Sequence, residues 1–232
     1  INPHPNVPGG AFPGLLVEWA VSPDGRTLYG RIDPKARWSD GRPLTTDDVV
    51  FTLYFLRSPH LNEPWYNDYY RKYYRQVIVF DKLTFATVHP ERKPDLAVRF
   101  GNWVPYPRHA YQDFGAGWTE RFQWRVTPKL GAYQLLDKDI EKGRAVTLTR
   151  LQDWWAVDKR FFRGRFNPDR YCLEVIRDPD KGVEAFARGD LDMLPLGLPK
   201  YWYETLPETH PEVAAGRIQR FKFYNRTPRP DW

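Results

Sequence analysis

The residues that most often act as catalytic nucleophiles lie in unfavourable surroundings in this chain. Its three serines, Ser22, Ser39 and Ser58, each neighbour Pro or Asp-Gly in a turn, and none lies in the strand–turn–helix setting of a nucleophile elbow. The one cysteine, Cys172, lies in an apolar alternation, where we expect a buried and inert thiol. The sequence therefore offers no nucleophile in a catalytic context.

Metal-binding and acid–base patterns are also missing from the sequence. The five histidines lie far apart, and there is no His-x-x-x-His pair, no Cys-x-x-Cys and no glycine-rich phosphate loop before a helix. The carboxylate pairs Asp47/Asp48 and Asp190/Asp192 lie at a helix start and in a turn, where capping and solvation explain them better than catalysis. We therefore expect no enzyme activity, no metal site and no cofactor.

Aromatic side chains are the chemically distinctive residues of the sequence. Phe, Trp and Tyr make up 16% of it, with ten Trp, which exceeds the needs of a core, so we expect some rings to line a surface. Aromatic faces bury a large area against a ligand, and Tyr hydroxyls add hydrogen bonds. The densest group lies in residues 64–74 and comprises Trp65, Tyr66, Tyr69, Tyr70, Tyr73 and Tyr74.

The charge of the chain permits an anionic partner but does not require one. The formal net charge is +6, and the basic residues are scattered; the densest group, residues 159–165, is interrupted by Phe161 and Phe162. Without a basic run we expect no nucleic-acid partner. No apolar run approaches the roughly 18 residues of a membrane span, so we expect no transmembrane segment in this stretch.

The elements that must position these residues alternate between short strands and helices. Asp24-Gly25 predicts a turn between strands over 15–21 and 28–32, and Thr45 predicts the N-cap of a helix that ends at Ser58-Pro59. Trp38, beside a second turn, is expected to anchor the core. Residues 1–14 are predicted to be an extended arm or loop, and residues 90–128 irregular with a helical turn over 107–111. Further strands are predicted over 76–80, 84–89, 133–136, 145–151, 171–176, 191–194 and 218–224, and further helices over 178–189 and 200–206. The predicted fold class is mixed α/β, with a partly antiparallel sheet and helices.

Two adjoining segments resemble a known signature. Residues 20–27, Ala-Val-Ser-Pro-Asp-Gly-Arg-Thr, and residues 36–52, with Arg-Trp-Ser-Asp-Gly followed by Thr-Asp-Asp-Val-Val-Phe, closely resemble the signature of bacterial extracellular solute-binding proteins, family 5. These are the dipeptide- and oligopeptide-binding receptors of ABC importers. Further landmarks follow in the family's order at residues 131–133, 153–155 and 186–192. The resemblance extends from about residue 18 to the C-terminus.

The resemblance implies a fold, a function and partners. It implies that residues 15–232 form part of the first lobe of a two-lobed, type II periplasmic-binding-protein fold, and that the second lobe and an N-terminal part lie outside this chain. Such lobes close around their ligand by a hinge motion. The implied function is capture of peptides or peptide-like solutes by a periplasmic, or membrane-tethered extracellular, monomer that delivers them to a membrane ABC permease.

The resemblance also implies where the ligand lies. In peptide-binding members, an aromatic residue of the region that matches 64–66 borders the cleft, which makes Trp65, Tyr66, Tyr69 and Tyr70 the candidate substrate-binding residues. The alternative is that half of these rings pack under the lobe. The acidic residue that holds the ligand's amino group in this family lies beyond Trp232, so no charge-pairing residue is assigned.

Two departures from the family pattern leave the ligand open. Ala132 replaces the usual Pro, and Trp155 follows Trp154 where Tyr-Trp is commoner. Residues 163–167 resemble a branch whose members take longer or modified peptides. The main alternative function is a lobe that binds a sugar or a cell-wall fragment, for which exposed aromatic rings would also serve. A nucleic-acid binder is disfavoured because the basic run is missing.

Overall fold

The computed structural model describes residues 1–4, 7, 10–61, 63–100 and 103–222. The chain divides into two compact units, residues 1–173 and 174–232. In the described ranges the strands are β1 (Asn2–Pro3), β2 (Ala11–Phe12), β3 (Leu16–Val21), β4 (Thr27–Ile32), β5 (Gln76–Val79), β6 (Thr84–Val88), β7 (Tyr133–Gln134), β8 (Ile140–Glu141), β9 (Ala145–Arg150) and β10 (Arg170–Glu174). The α-helices are α1 (Thr46–Arg57), α2 (Pro64–Tyr73), α3 (Leu96–Phe100), α4 (Trp118–Phe122), α5 (Pro179–Arg188) and α6 (Pro211–Ala214). No helix in these ranges has the length and apolar character needed to span a bilayer.

The larger sheet of the first unit is antiparallel, with the strand order β3-β4-β6-β5. Its first hairpin turns at Asp24-Gly25 as predicted, and Gly25 adopts a φ of +68°, which is favourable for glycine alone. Gly30 of β4 lies opposite Phe85 of β6, and Leu28 and Phe85 are fully buried on the inner face. This face forms one wall of the main core.

Helix α1 is held at its first turn by the neighbouring sheet and by its own side chains. The carboxylate of Asp48 accepts a hydrogen bond from the backbone N–H of Thr45 (3.0 Å), which confirms the predicted helix start. The hydroxyl of Thr46 donates to the carbonyl oxygen of Asp81 in the β5–β6 turn (2.9 Å). Trp38 is 3% exposed, so its predicted role as a core anchor is confirmed.

The N-terminal residues join the core of the first unit. Strands β1 and β2 pair, so the predicted extended arm contains a short antiparallel ladder. Phe12 is buried, and the ammonium group of Lys159 donates to the carbonyl oxygen of Gly14 (2.9 Å) while it forms an ion pair with the buried Asp33. These contacts attach the segment to the rest of the unit.

A second sheet completes the first unit, with β9 at its centre and β7, β8 and β10 paired to it. A tight turn at Lys142-Gly143 connects β8, a strand that the sequence did not predict, to β9, and Gly143 has a φ of +78°. Behind β7, the indole N–H groups of Trp154 and Trp155 both donate to the carbonyl oxygen of Leu130, at 2.8 and 3.0 Å. The double tryptophan thus holds the start of this sheet.

The second unit, taken alone, is built around α5. Asp178 caps the helix by accepting from the N–H of Asp180 (2.8 Å), and Gly189 ends it with a φ of +86°, both as predicted. A small core contains Val183, Tyr201 and Leu206. The predicted helix over 200–206 is observed as a π-helical turn, Tyr201–Thr205.

Several predictions from the sequence are wrong. Residues 191–194 and 218–222 form no strand, because no partner strand lies beside them in the described part of the chain; residues 223–224 lie outside it. Residues 90–128 contain α3 and α4 as well as the predicted turn, Arg108–Ala110. Cys172 is exposed rather than buried, since both faces of β10 are open.

Candidate functional site

The candidate substrate-binding residues all lie on α2, which is fixed against the C-terminal end of α1. Pro64 occupies the first turn of α2, where its missing N–H costs nothing. The amide of Asn67 donates to the carbonyl oxygens of Leu56 (2.8 Å) and Ser58 (3.1 Å). The carbonyl oxygen of Leu56, in the last turn of α1, has no partner within the helix. The carbonyl oxygen of Ser58, just after the helix, also accepts from the backbone N–H of Leu61 (3.2 Å). The Asn67 side chain therefore helps to fix the position of α2 on α1.

The four rings form two stacks along α2, because residues four apart lie on the same side of a helix. Trp65 stacks on Tyr69 with ring centroids 5.2 Å apart and planes 12° apart. Tyr66 stacks on Tyr70 at 6.3 Å and 11°. Trp65 and Tyr66 meet edge to face at 5.2 Å, so the stacks adjoin at their outer ends.

The rings at the outer ends of the two stacks are exposed to solvent, and those at the inner ends are partly or fully buried. Trp65 is 66% exposed and Tyr66 42% exposed, whereas Tyr69 is half-buried and Tyr70 is only 8% exposed. The structure thus brings the four predicted residues together, but only the outer three present surface to solvent. Tyr70 lies inside the core. The alternative stated above, in which part of this ring cluster packs under the lobe, therefore applies to Tyr70.

On its inner side, Tyr70 contacts a layer of buried aromatic rings. Its ring lies 5.2 Å from Tyr74, which in turn lies 4.6 Å from the imidazole of His89. Burial raises the pKa of both tyrosines far above the usual value, and burial also lowers the pKa of His89. These groups remain neutral at physiological pH and support the outer rings.

The outer rings offer apolar faces and hydrogen-bonding groups to a ligand. Trp65 offers a large ring face and an indole donor, and Tyr66 and Tyr69 offer hydroxyl groups beside apolar rings. Among the described residues, no group of three or more His, Cys, Asp or Glu side chains is placed to hold a metal ion. The arrangement suits the burial of apolar area with a few hydrogen bonds.

Sequence reasoning did not single out two further concave regions of the first unit. One is an apolar cavity of about 240 Å³ whose lining includes Trp103, Trp154 and Trp155. In the sequence, the only feature that pointed to this cavity was the family landmark at residues 153–155, which contains Trp154 and Trp155. The other, of about 680 Å³, runs along the first turn of α1, where Arg108 pairs with Asp47 (3.2 Å) and His109 lies 2.7 Å from Asp40.

Comparison with known proteins identifies the family. Residues 11–229 match the model of the bacterial extracellular solute-binding proteins, family 5, middle region. A putative binding protein of Brucella melitensis is 27% identical over 217 residues, 92% of this chain and 34% of the relative. The peptidoglycan-binding protein YepA of Agrobacterium fabrum is 28% identical over 187 residues, 79% of this chain and 29% of the relative. The chain thus spans about a third of the length of these relatives.

A solved structure supports the fold. The Haemophilus influenzae protein OppA, in complex with RPPGFSPFR, matches 83% of this chain and 39% of its own length, with a TM-score of 0.66 and 22% identity. The likeness confirms the predicted fold class, a mixed α/β part of a lobe of a two-lobed periplasmic binding protein. The match to the family model covers nearly the whole chain. The chain belongs to the bacterial extracellular solute-binding proteins, family 5.

Proposed function

We propose that the protein is the substrate-binding component of an ABC importer and that it captures peptides or peptide-like solutes. The observation that carries this proposal is the exposed aromatic face of α2 in a chain of this family. The rings of Trp65 and Tyr66 stand in solvent although each could bury a large area. A ligand between two lobes is a natural occupant for such a face.

Trp65, Tyr66 and Tyr69 form the proposed wall of the ligand site, and Tyr70 supports it from within the core. The edge-to-face contact between Trp65 and Tyr66 and the stacking of Trp65 on Tyr69 restrict all three rings before a ligand arrives. Rings that are already ordered lose little side-chain entropy on binding. A preformed wall therefore favours affinity.

The proposal includes the setting in which the protein works. It places the protein in the periplasm, or tethered outside the membrane, as a monomer without enzyme activity that delivers its ligand to a membrane ABC permease. Family membership supports this setting. A nucleic-acid partner is not part of the proposal, because the basic residues form no continuous run in the sequence.

The first experiment identifies the ligand. Native mass spectrometry of the full-length protein, released from its producing cells, measures the mass of whatever small molecule co-purifies. We expect a peptide or a peptide-containing fragment. A pure sugar mass would support the alternative, a sugar- or cell-wall-fragment-binding lobe, for which the name of the Agrobacterium relative provides a reason.

The site is then tested by substitution. We expect Trp65→Ala in the full-length protein to weaken binding of the identified ligand by about ten-fold or more, since central aromatic residues often contribute 2 kcal/mol or more to an interface. Trp124→Ala is the matched control, because Trp124 is also exposed but lies outside α2. Isothermal titration calorimetry measures both. Equal affinities in the two variants would remove Trp65 from the site.

A further inference from the structure

Four cationic side chains surround one concave surface at the junction of α1 and α2. They are Arg57 at the end of α1, Arg71 and Lys72 in the last turn of α2, and Arg75 just before β5, and they line a depression of about 530 Å³. Arg57 is half-buried and the other three are exposed. This cationic depression lies outside the proposed aromatic wall.

Carboxylates do not neutralise the four cations within the described part of the chain. None of them appears in an ion pair there, although many other basic residues do. Glu91, which follows the depression's Pro90, pairs with Lys93 instead (3.7 Å). Asp68, one turn before Lys72 on α2, likewise forms no ion pair with any residue that the structure describes. The positive charge of the depression is therefore uncompensated by these neighbours.

The two guanidinium groups at the base of the depression are held in place. Arg57 donates through Nε to the carbonyl oxygen of Tyr70 (3.0 Å). Arg71 donates in return through Nε (3.3 Å) and one Nη (2.9 Å) to the carbonyl oxygen of Arg57. Each guanidinium has five N–H donors, so several remain for a ligand. Reciprocal contacts of this kind preorganise the donors.

Helix polarity accounts for only part of this arrangement. Cations in the last turn of a helix are favoured by the macrodipole, which places roughly −0.5 charge at each C-terminal end. Two helix ends thus offset about one of the four positive charges. Burial, and then the neighbouring positive charge of Arg71, lower the pKa of Arg57, as expected where like charges lie close together. An anion would relieve this repulsion.

We propose that Arg57, Arg71, Lys72 and Arg75 form a binding site for a phosphate group, supplied by a free phosphate compound or by the headgroup of an anionic phospholipid. Guanidinium groups match the tetrahedral oxygens of phosphate through paired N–H···O bonds, and lysine adds a mobile point charge. None of these four side chains belongs to the proposed aromatic wall. The test of the phosphate site therefore does not depend on the proposed transport function.

The double variant Lys72→Gln/Arg75→Gln tests the site, because neither side chain makes a hydrogen bond within the described residues that its loss would break. Lys138→Gln/Arg163→Gln is the matched control, since it removes the same charge from exposed positions elsewhere in the first unit. Both are made in the full-length protein. A second variant, Arg57→Gln/Arg71→Gln, is compared only after thermal melting shows that it folds.

Two measurements distinguish the source of the phosphate group. Isothermal titration with inorganic phosphate at low ionic strength detects a free phosphate, and cosedimentation with phosphatidylglycerol vesicles, compared with phosphatidylcholine vesicles, detects a lipid headgroup. We expect Lys72→Gln/Arg75→Gln to weaken whichever interaction is present by about ten-fold or more, as for lost hydrogen bonds to a charged group. The control should match the parent protein. Absence of both interactions, or an equal loss in the control, overturns the proposal.

Discussion

At the scale of single residues, Asp48 connects three parts of the first unit. It is 4% exposed, and its carboxylate accepts hydrogen bonds from the backbone N–H groups of Thr45 (3.0 Å) and Arg108 (2.9 Å). The indole N–H of Trp38 lies 3.5 Å from the same carboxylate. The Trp and the second Asp of the signature are thus neighbours in space. Their role is structural, and the aromatic wall lies on a different helix.

We expect Asp48→Asn to destabilise the chain by about 1.5–3 kcal/mol, the cost of a lost hydrogen bond to a charged group. An amide keeps the shape of the side chain, but its NH₂ group then faces a buried backbone N–H. Urea unfolding followed by tryptophan fluorescence measures the change. Asp47→Asn is the control, because the Asp47 carboxylate is exposed and its ion pair with Arg108 should contribute under about 1 kcal/mol. Equal midpoints for the two variants would contradict a structural role for Asp48.

At the scale of elements, the parts that the sequence predicts well are those with a local signal at both ends. The β3–β4 hairpin has Asp24-Gly25, and α1 has Thr45 with Asp48 at its start and Ser58-Pro59 at its end. Helix α4 has no such signals. It begins after Gly117, and it is held by distant rings, such as Tyr111 stacked on Phe122 at 5.0 Å. Contacts of that kind depend on tertiary structure and leave no local pattern.

In the candidate site, too, the sequence predicts the features that depend on local spacing and misses those that depend on tertiary contacts. Ring stacking at four-residue spacing follows from the sequence once α2 is known to be helical. Which end of the stack is buried does not follow, because Tyr70 is covered by Tyr74, which in turn lies against His89, just after β6. The cationic depression was likewise invisible, since Arg57 and Arg71 meet only when α2 folds back on α1.

The position of α2 depends on Asn67, so we expect Asn67→Ala to lower the free energy of unfolding by about 1–3 kcal/mol. The substitution removes the amide group that donates to the carbonyl oxygens of Leu56 and Ser58, of which Ser58 keeps the backbone N–H of Leu61 as a donor. It should also weaken ligand binding in the full-length protein, because the aromatic wall would lose part of its attachment to α1. Asp68→Ala, at the exposed neighbouring position, should change stability by less than about 0.5 kcal/mol. Equal urea midpoints for the two variants would show that the hydrogen bonds of Asn67 do not hold α2 on α1.

At the scale of the whole molecule, the chain and its relatives differ in length. It spans 34% of the Brucella relative and 39% of the solved OppA chain. In the described residues the proposed aromatic wall can cover only one side of a ligand. Small-molecule clefts typically bury about 70–90% of a ligand's surface. A second wall and a partner for the ligand's charge are therefore expected from the rest of a two-lobed receptor.

We expect the isolated 232-residue chain to fold, because its first unit has a continuous buried core, and to bind the ligand far more weakly than the full-length protein. Loss of a buried, hydrogen-bonded charge pair alone costs about 2–5 kcal/mol, or roughly 30-fold to several thousand-fold in affinity. Isothermal titration of both proteins with the same ligand measures the difference, and a cooperative urea transition of the isolated chain verifies that it is folded. Equal affinities would place the whole site within residues 1–232 and would contradict enclosure of the ligand by two lobes.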